Sequence, residues 1–272
     1  MILAIDAGNS RVKWGWYDGN AWSSVATVSL IEFAATSDHV NPFSITHDDP
    51  ERIIISNVAG EGAHQLLVNW TSIFDVAPLW LRAGAEQCGV RNLYERPEQL
   101  GPDRWAALIA ARALHPSGPA LVVNAGTATT VDMLSGDGRF LGGAILPGAE
   151  LMRFVLHEHT GRLPLDVGSY RDQPRKTADA IETGCRHAQA GAVERMYRVL
   201  RDIELNPLCI VAGRPASGIR RAQACAGAAG FRADEPSRLP GMGKLHRRRL
   251  GARRAGARAA RARRPPGAAA QR

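Results

Sequence analysis

The sequence has little of what disulfide-stapled, zinc-bound or membrane-spanning proteins depend on. Cysteine is scarce: Cys88, Cys185, Cys209 and Cys225 are the only four, and no two form a Cys-x-x-Cys pair. That spacing argues against a disulfide framework and a structural zinc site, and for reduced thiols in a cytoplasmic protein. The histidines show no ligand spacing either. No apolar run approaches the roughly 18 residues that a membrane span needs, so no membrane partner is expected. The first residues lack a basic segment followed by an apolar core, which argues against a secretory signal.

Acidic residues are missing from one end of the chain. Residues 1–213 hold 18 Lys and Arg against 24 Asp and Glu, whereas residues 214–272 hold 16 against 2. The net charge of +8 therefore belongs to the last segment and says nothing about the chemistry of the body. That segment, rich in Arg, Ala, Gly and Pro, has few large apolar residues and no sustained period, so disorder is expected. Its abrupt start after Gly213 favours a reading-frame artefact, because a GC-rich gene translated out of frame yields these residues. A phosphate-binding arm, which would touch nucleic acid only non-specifically, and a solvated linker are the alternatives.

What is present in residues 1–213 is an alternation of strand and helix patterns. "MILAIDAGNSRVKWGWYDG" reads as a hairpin, with Val12, Trp14 and Trp16 on one face. Strands are expected at "RIIISNVAG" and "PLWLRA", with a helix between them over 61–76. In "GPDRWAALIAARALH", Trp105, Leu108, Ile109 and Ala113 fall at helical spacing. Asp103 and Arg104 then sit at the helix start, where free backbone N–H groups gather. "ALVVNAGTATTVDMLSGDGRFLGGAILPG" gives three strands joined by glycine turns. Helices are expected at 148–158 and over Thr177–Ile203, and a strand at "LCIVAG".

Two stretches share one design. "AIDAGNS" and "VVNAGTA" each run from an apolar strand through a polar residue, Asp6 or Asn124, into Ala-Gly and a hydroxyl or amide. Their recurrence suggests two related α/β halves. Glycine lets a backbone approach a ligand closely, and a turn rich in N–H and hydroxyl donors can cradle phosphate. Lys13 adds a positive charge within reach of phosphate oxygens. Asp6 would repel phosphate unless a cation lies between them, and Mg²⁺ commonly does. Both turns could equally be ordinary β-turns; their pairing with Lys13 favours a nucleotide cleft. Asp103 has two readings of equal weight: a helix cap with a surface ion pair, or a base taking a proton from an attacking hydroxyl while Arg104 holds a substrate carboxylate.

The motifs "DAGNSRVK", "RNLYERPEQLGPDRW", "NAGTATTVD", "GGAILPG", "RLPL" and "KTADAIETG", in this order over residues 1–213, resemble the type III pantothenate kinases. That family belongs to the acetate and sugar kinase/Hsp70/actin superfamily. The resemblance implies an α/β fold of two duplicated ribonuclease-H-like (actin-like ATPase) halves with a nucleotide cleft between them. We expect residues 1–115 to form the first half, 116–213 the second, and 214–272 the irregular tail. The implied activity is ATP-dependent phosphorylation of pantothenate, the first step of coenzyme A biosynthesis.

By the same resemblance Asp6, Ala7, Gly8, Asn9, Ser10, Arg11, Val12 and Lys13 bind ATP, with Asp6 placing Mg²⁺, and Thr127 is a further ATP contact. Tyr94, Gly101, Pro102, Asp103, Arg104 and Thr177 hold pantothenate, and Asp103 is the proton acceptor. Family members are homodimers that use K⁺ or NH₄⁺. Many carry Asp where this chain has Asn124, a ligand position for the monovalent cation, so the charge at that ligand is lost here. After Gly213 the family continues into a strand-helix unit that this sequence does not match. A non-catalytic regulatory protein on the same fold, and another kinase of the superfamily, are the alternatives.

Overall fold

A computed structural model of the chain describes residues 1–35, 43, 49–161, 163–213 and 246–249. The first half begins with a hairpin of β1 (Ile2–Ala7) and β2 (Arg11–Tyr17), registered from Ile2 opposite Tyr17 to Ala7 opposite Val12. Strict alternation buries Leu3, Ile5 and Ala7 on one face of β1, as a period of two requires. The Gly8 amide closes the turn on the Arg11 carbonyl at 2.9 Å. β3 (Trp22–Ser29) extends the sheet antiparallel to β2, and α1 (Leu30–Ala35) follows. β4 (Arg52–Asn57) then pairs parallel with β1, and after α2 (Glu61–Thr71) comes the short β5 (Leu79–Trp80). The sheet order is β3-β2-β1-β4-β5. Leu3, Ile5, Trp14, Trp16, Ile53 and Ile55 meet Leu67 and Trp70 of α2 in one core. Each such buried side chain contributes about 1.5–3 kcal/mol.

The chain then crosses to a second sheet. β6 (Glu86–Gln87) and β7 (Val90–Asn92) lead into α3 (Pro102–Leu114). β8 (Ala120–Ala125), β9 (Ala128–Leu134) and β10 (Arg139–Pro147) form an antiparallel meander. After α4 (Ala149–His159) and α5 (Thr177–Ile203), β11 (Leu208–Gly213) pairs parallel with β8. β12 (His246–Arg249) adds an antiparallel edge, giving the order β12-β11-β8-β9-β10-β7-β6. β8 is buried on both faces, which explains its continuous apolar run. Ala120 and Val122 face Trp105, Leu108 and Ala111 of α3, while Leu121 and Val123 face Val193, Tyr197 and Leu200 of α5.

The two sheets are built alike. In each, a central strand has an antiparallel hairpin partner, a third strand beyond it, and a parallel neighbour on its other side: β3-β2-β1-β4 and β10-β9-β8-β11. The duplicated α/β halves expected from the sequence are therefore present. Several local details differ. The expected helix over 61–76 ends at Thr71, and the strand at "PLWLRA" is paired only over Leu79–Trp80. β3 and α1 were not expected, and β6 and β7 are too short to show a period. The 115/116 division assigns β6, β7 and α3 to the first half. β7 pairs with β10 and α3 packs on β8 of the second half, while α3 also contacts β4 of the first. The irregular segment 214–272 lies outside the described residues apart from β12.

Candidate active site

Both hairpin turns lie at the same end of their central strands, and they touch. The Ser10 and Thr127 hydroxyls hydrogen-bond at 2.7 Å across 117 residues of sequence. Around this bridge lie exposed Asn9 and Arg11 from one half and exposed Gly126 from the other. Thr127 is held from behind, because the Gly148 amide at the start of α4 donates to its carbonyl at 2.8 Å. A Cβ on Gly148 would lie 2.1 Å from the Gly126 carbonyl oxygen and 2.8 Å from that of Thr127, so only glycine allows this approach. Gly213 backs the same turn with φ of 107°, and its Cβ would meet the Ala125 oxygen at 2.0 Å.

Asp6, the last residue but one of β1, stands opposite Lys13, whose ammonium donates to Asp6 Oδ2 at 3.2 Å. Burial pushes the Asp6 carboxyl above its ordinary value, Lys13 pulls it back, and Asp103 lies close enough to push it up further. Ser56 stands beside Asp6 on β4, and its buried hydroxyl favours the charged form of the Asp6 carboxyl. A half-buried carboxylate with a hydroxyl oxygen beside it fits Mg²⁺, which takes few protein oxygen ligands and keeps water. The corresponding position in the second half is neutral: half-buried Asn124 on β8 stands opposite Thr130, which is buried.

Asp103 sits in the first turn of α3, after Gly101 at the cap and Pro102 at the first helical position. Proline suits that position because no partner is needed for its missing N–H. Gly101 leaves room for the carboxylate, since a Cβ there would lie 2.7 Å from Asp103 Oδ1. The same oxygen accepts the Arg104 amide at 2.8 Å, and the positive end of the helix favours its charge. Val58, just past β4, approaches Gly101 from the other half. The helix start thus bridges the two halves and brings Asp103 within electrostatic range of Asp6.

Arg104 does not stand free in the cleft. It is buried, and its guanidinium grips Asp132 of β9 through Nε at 3.1 Å and through Nη2. Its remaining arm, Nη1, donates to the Tyr94 hydroxyl at 3.1 Å. Its plane also lies 5.7 Å from the ring centres of both Tyr94 and Phe140. Burial works against the Arg104 charge, but Asp132 outweighs it and holds the guanidinium above its usual range. Burial raises the Asp132 carboxyl, and Arg104 opposes that rise. The expectation that Arg104 presents an uncommitted cation to a carboxylate therefore needs revision, because its fork is already occupied. Asp132 had no assigned role in the sequence. Its signals there were a carboxylate on a mostly apolar strand, "VDML", and its place at the end of the motif "NAGTATTVD".

The structure thus gathers Asp6, Gly8, Ser10, Lys13 and Thr127 at the paired turns, with Asp103 beside them and Tyr94 joined to Arg104. Ala7 and Val12 are buried supports of the first turn. Thr177 opens α5 and is exposed. Among the described residues no cluster of three or more His, Cys, Asp or Glu forms a ready-made metal cage. None of their helices is long and apolar enough to cross a membrane.

Comparison with known proteins gives a concordant result. The family model described as type III pantothenate kinase matches residues 2–199. A type III pantothenate kinase of Aromatoleum aromaticum is 49% identical over 213 residues, covering 78% of this chain and 86% of that protein. One from Nitrosospira multiformis is 44% identical over 223 residues, covering 81% and 82%. Among solved structures, the activator of 2-hydroxyisocaproyl-CoA dehydratase from Clostridium difficile, with bound ADPNP, aligns with a TM-score of 0.43 and 13% identity, covering 82% of this chain and 84% of that one.

Proposed function

The chain belongs to the type III pantothenate kinase family, and on that premise we propose how its residues carry out the ATP-dependent phosphorylation of pantothenate that begins coenzyme A biosynthesis. The observation that carries the proposal is the Ser10–Thr127 contact, which joins the two glycine turns within reach of two carboxylates. Residues 6–13 and Thr127 hold the ATP phosphates by backbone N–H groups, hydroxyls and the Lys13 ammonium. Asp6 is the residue that would hold Mg²⁺, which neutralises phosphate charge when bound. Asn124 offers a neutral amide oxygen to K⁺ or NH₄⁺, a weaker ligand than the carboxylate found in many relatives.

Pantothenate lies against Tyr94 and the Gly101–Arg104 loop, with Thr177 completing the site. Asp103 accepts the proton of the attacking hydroxyl as its oxygen bonds to the terminal phosphorus. The bond from that phosphorus to the bridging oxygen breaks, and ADP leaves with the electron pair. Such a reaction needs positioning and charge neutralisation more than covalent help from the protein. The two turns supply the first, and Lys13 with the cation supplies the second.

A homodimer is supported by α4, which has no buried residue and exposes Phe154, Val155 and Leu156; exposed apolar clusters of this kind seek a partner. A cytoplasmic location is supported by the free thiols of Cys88, Cys185 and Cys209. The curated relatives named above are kinases, which disfavours a non-catalytic regulatory role. The reading is tested by measuring ADP release from Mg·ATP with pantothenate, acetate and a hexose as separate acceptors. Release with pantothenate alone is expected. Equal release with the hexose would overturn the substrate assignment.

A further inference from the structure

The carboxylate of Asp132 is fully buried and lies within electrostatic range of Asp103, and yet it is not simply filling a core. It occupies the middle of β9 opposite Gly143 of β10. Both of its oxygens receive the Arg104 fork. The space above that fork exists because residue 143 is glycine: a Cβ there would lie 2.0 Å from Asp132 Oδ1 and 2.9 Å from Arg104 Nη2. Charged groups are rarely buried unless paired, and a planar bidentate pair fixes the guanidinium in both position and tilt. With Nε and Nη2 committed, Nη1 can point only where Asp132 aims it, and it points at the Tyr94 hydroxyl.

The direction of that hydrogen bond matters. Arginine has no acceptor, so Tyr94 Oη must receive the proton, and its own O–H remains to be donated elsewhere. No acceptor takes that proton among the described residues, and Tyr94 is only partly buried. Phe140 packs directly against Tyr94, with ring centres 5.1 Å apart, and the guanidinium lies 5.7 Å from each ring, which restricts the tyrosine ring. A hydroxyl that accepts from a cation is a stronger donor than a free phenol, because hydrogen bonds in series polarise one another.

We propose that Asp132 is a positioning residue for substrate binding: by locking Arg104 it turns the Tyr94 hydroxyl into an oriented donor for an acceptor oxygen of the substrate. The direct partner of the substrate is then Tyr94, while Arg104 acts through Tyr94 and Asp132 acts through Arg104. This inference rests on the pantothenate site described above.

The test uses the full chain, with pantothenate affinity followed by calorimetry and steady-state constants measured in parallel. Tyr94→Phe keeps the ring and removes only the donor. It is expected to raise both Kd and KM for pantothenate about tenfold, the equivalent of one well-made hydrogen bond, with KM for ATP unchanged. Asp132→Asn and Gly143→Ala, which disturb the fork without touching the cleft, are expected to give the same selective rise. In a Tyr94→Phe background Asp132→Asn should add nothing further. A purely structural Asp132 would instead shift ATP and pantothenate constants alike, and its effect would multiply with that of Tyr94→Phe; either result overturns the proposal. If the Asp132 and Gly143 variants do not fold, Tyr94→Phe decides alone: unchanged pantothenate affinity sinks the inference. Wild-type protein that binds no pantothenate sinks the site reading together with it.

Discussion

The two glycine turns have the same place in their sheets and opposite electrical characters. The first ends in Asp6, faces Lys13 and carries charge. The second carries none: Asn124 faces Thr130, and its turn is shaped by close backbone contacts with Gly148 and Gly213. The turn glycines themselves are alike, for a Cβ on Gly8 would meet only the Arg11 carbonyl at 3.4 Å and one on Gly126 only the Ala128 carbonyl at 3.5 Å. Duplication has thus supplied one frame twice, and the halves have divided the work. In the function proposed above, one turn neutralises phosphate while the other provides N–H and hydroxyl donors, and the proposed base, Asp103, stands on neither turn but at the start of α3.

The largest effect should come from the bridging helix. Asp103→Asn is expected to lower turnover about 10²–10⁴-fold, the range for loss of a general base, with Mg·ATP binding by calorimetry unchanged. Turnover close to wild type would remove Asp103 from that role.

Next comes the charged turn. Asp6→Asn should cost about 10²-fold in turnover, as loss of one charge-stabilising group does. Burial raises the folded Asp6 carboxyl above 3.8. Mg·ATP affinity should therefore fall on acidification at a pH above the ordinary aspartate range, and Asp6→Asn should lack that limb. The sign for stability is the reverse: ionised Asp6 opposes folding at neutral pH, because its folded pKa lies above its unfolded one. Asp6→Asn should therefore unfold at no lower temperature, which separates lost function from lost structure.

The neutral turn should answer to shape and not to charge. Gly148→Ala would force the Gly126–Thr127 backbone away and is expected to raise KM for ATP about tenfold, since small misplacements at such sites are costly. Gly184→Ala is the control. It lies exposed on α5 with open space around its Cβ position, and should stabilise the protein by about 0.5–1 kcal/mol without changing either KM. The smallest effect belongs to the bridge itself. Ser10→Ala removes one exposed hydrogen bond, worth about 1 kcal/mol at most, so KM for ATP should rise less than about fivefold.

Much of this was legible in the sequence because it is local. The turns announce themselves by glycine between alternating apolar strands, and α3 by Pro102 followed by Trp105, Leu108, Ile109 and Ala113 at helical spacing, although Ala111 is buried and Ala113 exposed. β3 was not legible: "WSSVATVS" is an edge strand with both faces partly exposed, so no apolar alternation marks it. β6 and β7 are defined by their pairing and not by any pattern of their own. The Arg104–Asp132 pair was invisible for a different reason. The partners are 28 residues apart, and only the packing of α3 against the second sheet brings them together. Local pattern placed Arg104 at a helix start, as half of a surface ion pair or as a holder of a substrate carboxylate, and tertiary packing buried it against Asp132.

The central claim is that these two unlike turns make one nucleotide site. Calorimetric titration of Mg·ATP into the full chain tests it most directly. One saturable site per chain is expected, weakened in Asp6→Asn by loss of charge and in Gly148→Ala by loss of fit. Folded protein that takes up no Mg·ATP, or binding indifferent to Gly148→Ala, would contradict it.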